Sequence, residues 1–325
     1  MKEPLFTGMK NEFSWKRFLE EARPFIALIL LLAVCMISNE SFRSPGNLLN
    51  ITRQVACMGI ASLGMTLVII AGGIDLSVGS LLALSGVCSL MVMNRIADPV
   101  LGICCALAAA LLTGVLGGIL NGLAVTLGRI PPFIATLGTF SIFRSLALYL
   151  ADAGTLSSKN EIFRDLGYCA PLGIPLAAVC FLLLAVIFGV ILHQTAFGRH
   201  ICAVGSNPRA AQYAAIGLNR TRFMTYLLAG LCAGAASFLF CSRLNSVSST
   251  DAGLSYELDA IAGAVIGGTS MNGGSGMIAG TVAGVFILGI ISNALDMWGT
   301  SVNLQGLVKG LIIIIAVLIQ RKRAE

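Results

Sequence analysis

Apolar residues in this chain come in long unbroken runs, not in the alternating or one-sided patterns of a water-soluble domain. Runs such as MGIASLGMTLVIIA, LLALSGVCSLMVM and LVKGLIIIIAVLI are parted by short stretches rich in Gly, Pro, Asn and Asp. A segment apolar on every side belongs in lipid or in a large core, and about 20 such residues cross a hydrocarbon layer roughly 30 Å thick. The runs and their breakers predict helices over 24-38, 55-71, 77-93, 99-127, 133-150, 171-192, 223-240, 256-268, 276-292 and 304-320, with ends set to about four residues. Several are short of a full span. Those with Gly, Asn or Asp near an end read as broken helices, which a bilayer permits only where protein or a water-filled cavity covers the backbone.

Composition agrees with the pattern: 57% of residues are hydrophobic and 11% charged, against about a quarter charged in soluble domains. The expectation is an all-α polytopic membrane protein of about ten transmembrane helices, with 1-325 forming a single transmembrane domain, 1-23 a cytoplasmic tail and 193-222 a cytoplasmic loop. The segment MKEPLFTGMKNEFSWKRFLEEAR is too long and polar for the basic region of a cleaved signal. An even number of spans puts both ends on one side. Lys2, Lys10, Lys16, Arg17, Arg23, Arg129, Arg199, Arg209, Arg220, Arg222, Arg321, Lys322 and Arg323 fall on that side. The opposite loops, with Arg43, Arg53, Arg95, Lys159, Arg164 and Arg243, hold about half as many, so the termini are expected in the cytoplasm. Orientation accounts for the net charge of +6 better than nucleic acid does, because no aromatic-interleaved basic patch is present.

Several chemistries find no motif. Most of the ten cysteines (Cys35, Cys57, Cys88, Cys104, Cys105, Cys180 and Cys232 among them) lie in apolar runs without CxxC spacing, and read as small buried hydrophobes. His193 and His200 have no Asp, Glu or Cys at ligand spacing, so no metal is expected. There is no GxxxxGK[ST] to cradle phosphates and no nucleophile with a base and an orienter, which makes an integral membrane enzyme the weaker class.

Two halves of the chain resemble each other. Leu116-Gly117-Gly118-Ile119-Leu120-Asn121-Gly122-Leu123 aligns with Leu288-Gly289-Ile290-Ile291-Ser292-Asn293-Ala294-Leu295, and an indel brings Ile74-Asp75-Leu76-Ser77-Val78-Gly79 opposite Leu258-Asp259-Ala260-Ile261-Ala262-Gly263. Two five-helix halves would be inverted, a transporter signature in which interrupted segments point to the pathway. The four-residue spacing of Gly114, Gly118 and Gly122, and of Gly276, Gly280 and Gly284, predicts grooves for close helix packing. At Gly72-Gly73 one helix ends, and Asp75 is expected to cap the next, where a carboxylate meets open amides and the positive end of the dipole. Proton coupling or substrate contact are the alternatives for Asp75. Arg144, Lys309 and Asp296 lie in or near apolar runs and are candidates for function, although Lys309 near a helix end could snorkel.

The loop GRHICAVGSNPRAAQYAAIGLNRTR predicts a further helix: Asn207 as N-cap, Pro208 at the first position, and Gly217 in the left-handed closing conformation. It is too short to span and is expected on the cytoplasmic surface, its alanines offering a flat face and its arginines meeting acidic groups or lipid phosphates.

SPGNLLNI, GMTLVIIAGGIDLSVGSLLALSG, PPFIATLGT, FGRHICAVGSNPRAAQYAAI, YELDAIAGAVIGGTSMNGGSG and LVKGLIIIIAVLI, in that order from about residue 44 to 320, make the chain similar to the membrane permeases of ribose-type, or monosaccharide, ATP-binding cassette importers. That resemblance implies a permease in the bacterial inner membrane, working as a homodimer or close heterodimer with a cytoplasmic cassette ATPase and a periplasmic sugar-binding protein, surrounded by membrane lipid and needing no cofactor. It implies that Asn207 to Ile216 is the family's coupling helix, with Gly205, Asn207, Ala210 and Ala211 on matching positions and Arg199 and Gly217 flanking them as the ATPase-coupling set. Asp75, Ser77, Asn121, Asp259 and Asn293 form the expected pathway or helix-break set. Ser206, Ala214-Ala215, Asn272 and Ser275 depart from the usual pattern. The alternative is an ion-coupled secondary sugar transporter with Asp75 and Asp259 as its carboxylates.

Overall fold

The computed structural model describes residues 15–321, so Lys2 and Lys10 of the tail and Lys322 and Arg323 lie outside the described residues. In chain order the helices are α1 (Trp15–Ser38), α2 (Pro45–Ile70), α3 (Val78–Met93), α4 (Pro99–Thr126), α5 (Pro132–Leu150), α6 (Glu161–Tyr168), α7 (Leu176–Gln194), α8 (Ala196–Ser206), α9 (Pro208–Tyr213), α10 (Leu218–Leu244), α11 (Tyr256–Ile266), α12 (Ile278–Met297) and α13 (Val302–Arg321). The strands β1 (Thr155–Ser157) and β2 (Ser246–Ser248) pair antiparallel, with Leu156 opposite Val247. Among the described residues six helices are long and apolar enough to cross a membrane: α2, α4, α5, α7, α10 and α12. Helix also covers the other four predicted segments, as α1, α3, α11 and α13.

Local chemistry sets the helix starts. Ser44 accepts the Asn47 amide at 3.3 Å with Pro45 in the first turn, which begins α2 well before the apolar run. Asp98 does the same for α4, accepting the Leu101 amide at 2.7 Å ahead of Pro99. α6 falls outside the predicted set because its residues lack the apolar density on which that set rests, and α8 because its 11 residues are too few to span.

α2 and α10 form the centre. α10 packs against α2, α3 and α4, while α2 packs against α10, α11 and α12; α3 lies on α4, and α11 on α12. Glycine makes these approaches possible. A Cβ on Gly114 would meet the Gly230 carbonyl oxygen, and one on Gly118 that of Tyr226, so α4 and α10 touch backbone to backbone. Gly280 and Gly284 meet the Gly267 and Gly263 carbonyls in the same way, which joins α12 to α11. Both glycine runs therefore pack helices, as their spacing predicts, although Gly122 faces the Phe223 ring and Gly276 the Ile70 side chain.

α2 and α3 are buried almost all round, whereas α1, α4 and α7 expose leucine, isoleucine and valine along one face. A belt of that kind is stable only against lipid or another apolar surface. Cys57, Cys232 and Cys241 are core residues, but Cys104 and Cys169 are exposed, which corrects the expectation of burial for Cys104.

Candidate functional site

The break between α2 and α3 is a packed polar joint. Gly72 takes φ 80° after the end of α2, and the backbone amide and hydroxyl of Ser77 donate to Asp75 Oδ1 at 2.9 and 2.7 Å. The Asn121 amide, from α4, donates to Ser77 Oγ at 2.7 Å and straddles both Asp75 oxygens at 3.3 and 3.4 Å. Its own carbonyl accepts the Thr139 hydroxyl of α5 at 2.6 Å, and the Tyr226 hydroxyl of α10 donates to the Ile74 carbonyl at 3.3 Å. Asp75, Ser77 and Asn121 are all at most 1% exposed. A carboxylate that loses water must recover hydrogen bonds, and here neutral donors from neighbouring elements supply them. Ser77, not Asp75, occupies the cap position of α3 and makes no side-chain bond to the helix amides. The expected cap is thus corrected: Asp75 closes the turn before the helix. Thr139 and Tyr226 carry no sequence signal for this role, because only folding brings α5 and α10 to the break.

The second interrupted segment lies between α10 and α11. Gly79, in the first turn of α3, abuts Gly253 so closely that a Cβ on either would meet the other's carbonyl oxygen. The N-termini of α3 and α11 therefore meet. Arg144 on α5 spans the connection, donating to the Ser249 carbonyl at 2.8 Å, Thr250 at 3.3 Å and Ala252 at 2.9 Å. A planar guanidinium presents five donors in a fixed fork, which suits three carbonyls spread along a short stretch of chain.

Asp259 lies in the first turn of α11 and not before it, so its place in the fold differs from that of Asp75. It pairs with Lys309 of α13 at 2.9 Å, with side chains 8% and 24% exposed. Lys309 consequently does not snorkel. Asn293, aligned with Asn121, bonds an asparagine and not a carboxylate: it exchanges amide hydrogen bonds with Asn47 at 2.8 and 2.9 Å, tying α12 to α2. Asp296 accepts Gln305 at 2.6 Å across the α12–α13 turn. The structure brings together Asp75, Ser77 and Asn121, and leaves Asp259 and Asn293 in two separate contacts.

α8 and α9 form a surface unit at the end where α2 and α4 finish and α10 begins. Thr195 caps α8 through the Gly198 amide at 3.2 Å, and Asn207 caps α9 through the Ala210 amide at 3.0 Å. α9 stops at Tyr213 because Ala215, at φ 58°, takes the left-handed turn expected of Gly217; Gly217 has φ −70° and begins α10. Arg199, Asn207, Arg209, Ala210 and Gly217 are exposed, as is Tyr213 at 92%. Ala211, at 4%, faces inward. Gly205 is half-buried against the end of α2.

A family profile described as branched-chain amino acid transport system / permease component matches residues 47–317. The chain belongs to this permease family. It is similar to the ribose import permease protein RbsC of Bacillus subtilis (44% identical over 308 residues, 94% of each chain). The ribose import permease protein RbsC of Haemophilus influenzae is 39% identical, over 95% of this chain and 97% of its own. The L-arabinose transport system permease protein AraH of Escherichia coli is 33% identical, over 97% and 95%. No solved structure matches the chain.

A permease performs no covalent chemistry, and its parts need only open, close and receive a push. Two features of this permease suit those tasks: a buried joint of hydrogen bonds where α3 begins, and an exposed helix pair at the same end. At Gly205 the contact of α8 with the end of α2 is backbone on backbone, and at Gly79 the contact of α3 with Gly253 has the Glu257 carboxylate beside it.

Proposed function

We propose that this permease is the membrane subunit of an ATP-binding cassette importer that carries a monosaccharide, a ribose-like pentose or a hexose, into the cytoplasm of a bacterial cell. The observation that carries it is identity along nearly the full length to two ribose import permeases and an arabinose permease. A partner ATPase supplies the energy and a periplasmic sugar-binding protein the cargo, with two permease copies, identical or closely related, framing the pathway in membrane lipid.

Ten spans are the count that the six long helices plus α1, α3, α11 and α13 support, α3 and α11 being broken spans that protein covers. The matched packing of α10 on α3 and α4 and of α2 on α11 and α12 supports an inverted repeat. α8 and α9, with Arg199, Asn207, Arg209, Ala210 and Tyr213 exposed, form the cytoplasmic face on which the ATPase docks. Both termini lie on that side, by the count of basic residues. Asp75, Ser77 and Asn121 form the joint that moves as access alternates.

The test is uptake into proteoliposomes holding this chain, its cassette ATPase and the binding protein. Ribose or another aldose enters only with ATP inside the ATPase compartment. Uptake by the chain alone under a proton or sodium gradient would sink the proposal in favour of an ion-coupled transporter.

A further inference from the structure

Three chain segments meet at the last turn of α8, where Gly205 touches only backbone. A Cβ on Gly205 would meet the Ile70 carbonyl oxygen and the Gly274 backbone nitrogen. The Gly274 amide donates to that same Ile70 oxygen at 2.8 Å. Gly273 and Gly274, at φ 81° and 79°, adopt the left-handed conformation that brings the loop before α12 into this contact, and Ser206 packs on Gly274. Ile70 is the last residue of α2, and the break that holds Asp75 follows it.

We infer that Gly205 is a positioning residue, the rigid joint through which α8 and α9 move the α2–α3 break and the 267–276 loop together, and not part of the face that a partner touches. Packed protein interiors compress little and transmit displacement, and a backbone contact has no rotamer with which to absorb it. Gly205 is half-buried, whereas Asn207, Arg209 and Ala210 beside it are exposed. Touching the partner and passing on its motion are thus divided between neighbouring residues. A side chain at 205 would have to push α8 off α2, because the atoms it meets are backbone and cannot turn away.

This inference rests on α8 and α9 being the docking unit. In the full complex with the cassette ATPase and binding protein, the expected result for Gly205→Ala is that the ATPase still copurifies, while sugar taken up per ATP hydrolysed falls about tenfold. Copurification with undiminished uptake per ATP overturns the inference and leaves the docking reading intact. Failure of the ATPase to copurify with the unaltered chain sinks the docking reading, and this one with it.

A second measurement keeps glycine at 205. Nitroxides carried on unnatural amino acids at Gln212 and Asn272, both exposed, avoid the exposed Cys104 and Cys169 that a thiol reagent would label. Their separation in the full complex stays the same with and without ATP if the unit and the loop move as one piece. A change in that separation on adding ATP overturns the inference, whatever Gly205→Ala does.

Discussion

Asp75 accepts hydrogen bonds from a serine hydroxyl, a backbone amide and an asparagine amide, and that donor set decides what a substitution there does. A simple cap would tolerate asparagine, since Asn and Asp cap almost equally well. Here the side-chain amide of an asparagine at position 75 would face the Asn121 amide, donor against donor, with Asn121 already held by Ser77 and Thr139. An unsatisfied buried donor costs about 1–3 kcal/mol. Asp75→Asn is therefore expected to lower the thermal unfolding midpoint in detergent, and adding Asn121→Asp, which restores an acceptor, to recover part of the loss. A double-mutant cycle measures the coupling; strict additivity would mean that the two side chains do not interact.

At the scale of elements, pairing across helices matters more than the amphipathic pattern of any one of them. The ion pair of Asp259 and Lys309 fastens α13 to α11. With Lys309 partly exposed, removing it strands the buried Asp259 at a cost of about 1–3 kcal/mol. Lys309→Met is expected to destabilise the protein in detergent melts, and Asp259→Asn in the same chain to restore most of the stability, because two neutral groups need less water than one bare carboxylate. A single variant as stable as the parent would mean that the pair contributes nothing. The glycines of α4 and α10 act at this scale as well, by removing the side chains that would keep two backbones apart.

For the whole molecule, the division between an apolar belt and one exposed helix pair determines where a soluble partner can act. Ala210 is exposed and Ala211 buried, although the sequence pattern alone puts both on one flat face. Ala210→Trp is expected to leave detergent melting unchanged and to abolish copurification and stimulation of the cassette ATPase. Stimulation equal to that of the parent would remove Ala210 from the docking face. Ala211→Trp cannot serve this purpose, since a large ring at an inward position disrupts the packing of α9 itself.

Local pattern was enough for the helical, membrane-embedded class, the helix over each apolar run, the glycine grooves and the start of α9 at Asn207, because hydropathy, caps and small-residue spacing are properties of neighbours in the chain. The extra turns at the start of α2 were also legible in Ser44-Pro45, yet lay outside the apolar run. What Asp75, Lys309, Asn293, Arg144, Gly205 and Ala211 each touch was decided only by the tertiary structure. Their partners are distant in sequence: Asp75 meets α4, Lys309 meets α11, Asn293 meets α2, Arg144 meets the 249–252 backbone, and Gly205 meets Ile70. Alignment of the two halves could place Asp259 opposite Asp75 and Asn293 opposite Asn121, but a hydrogen bond depends on which helices lie side by side and how they are rotated, and no linear pattern contains that rotation.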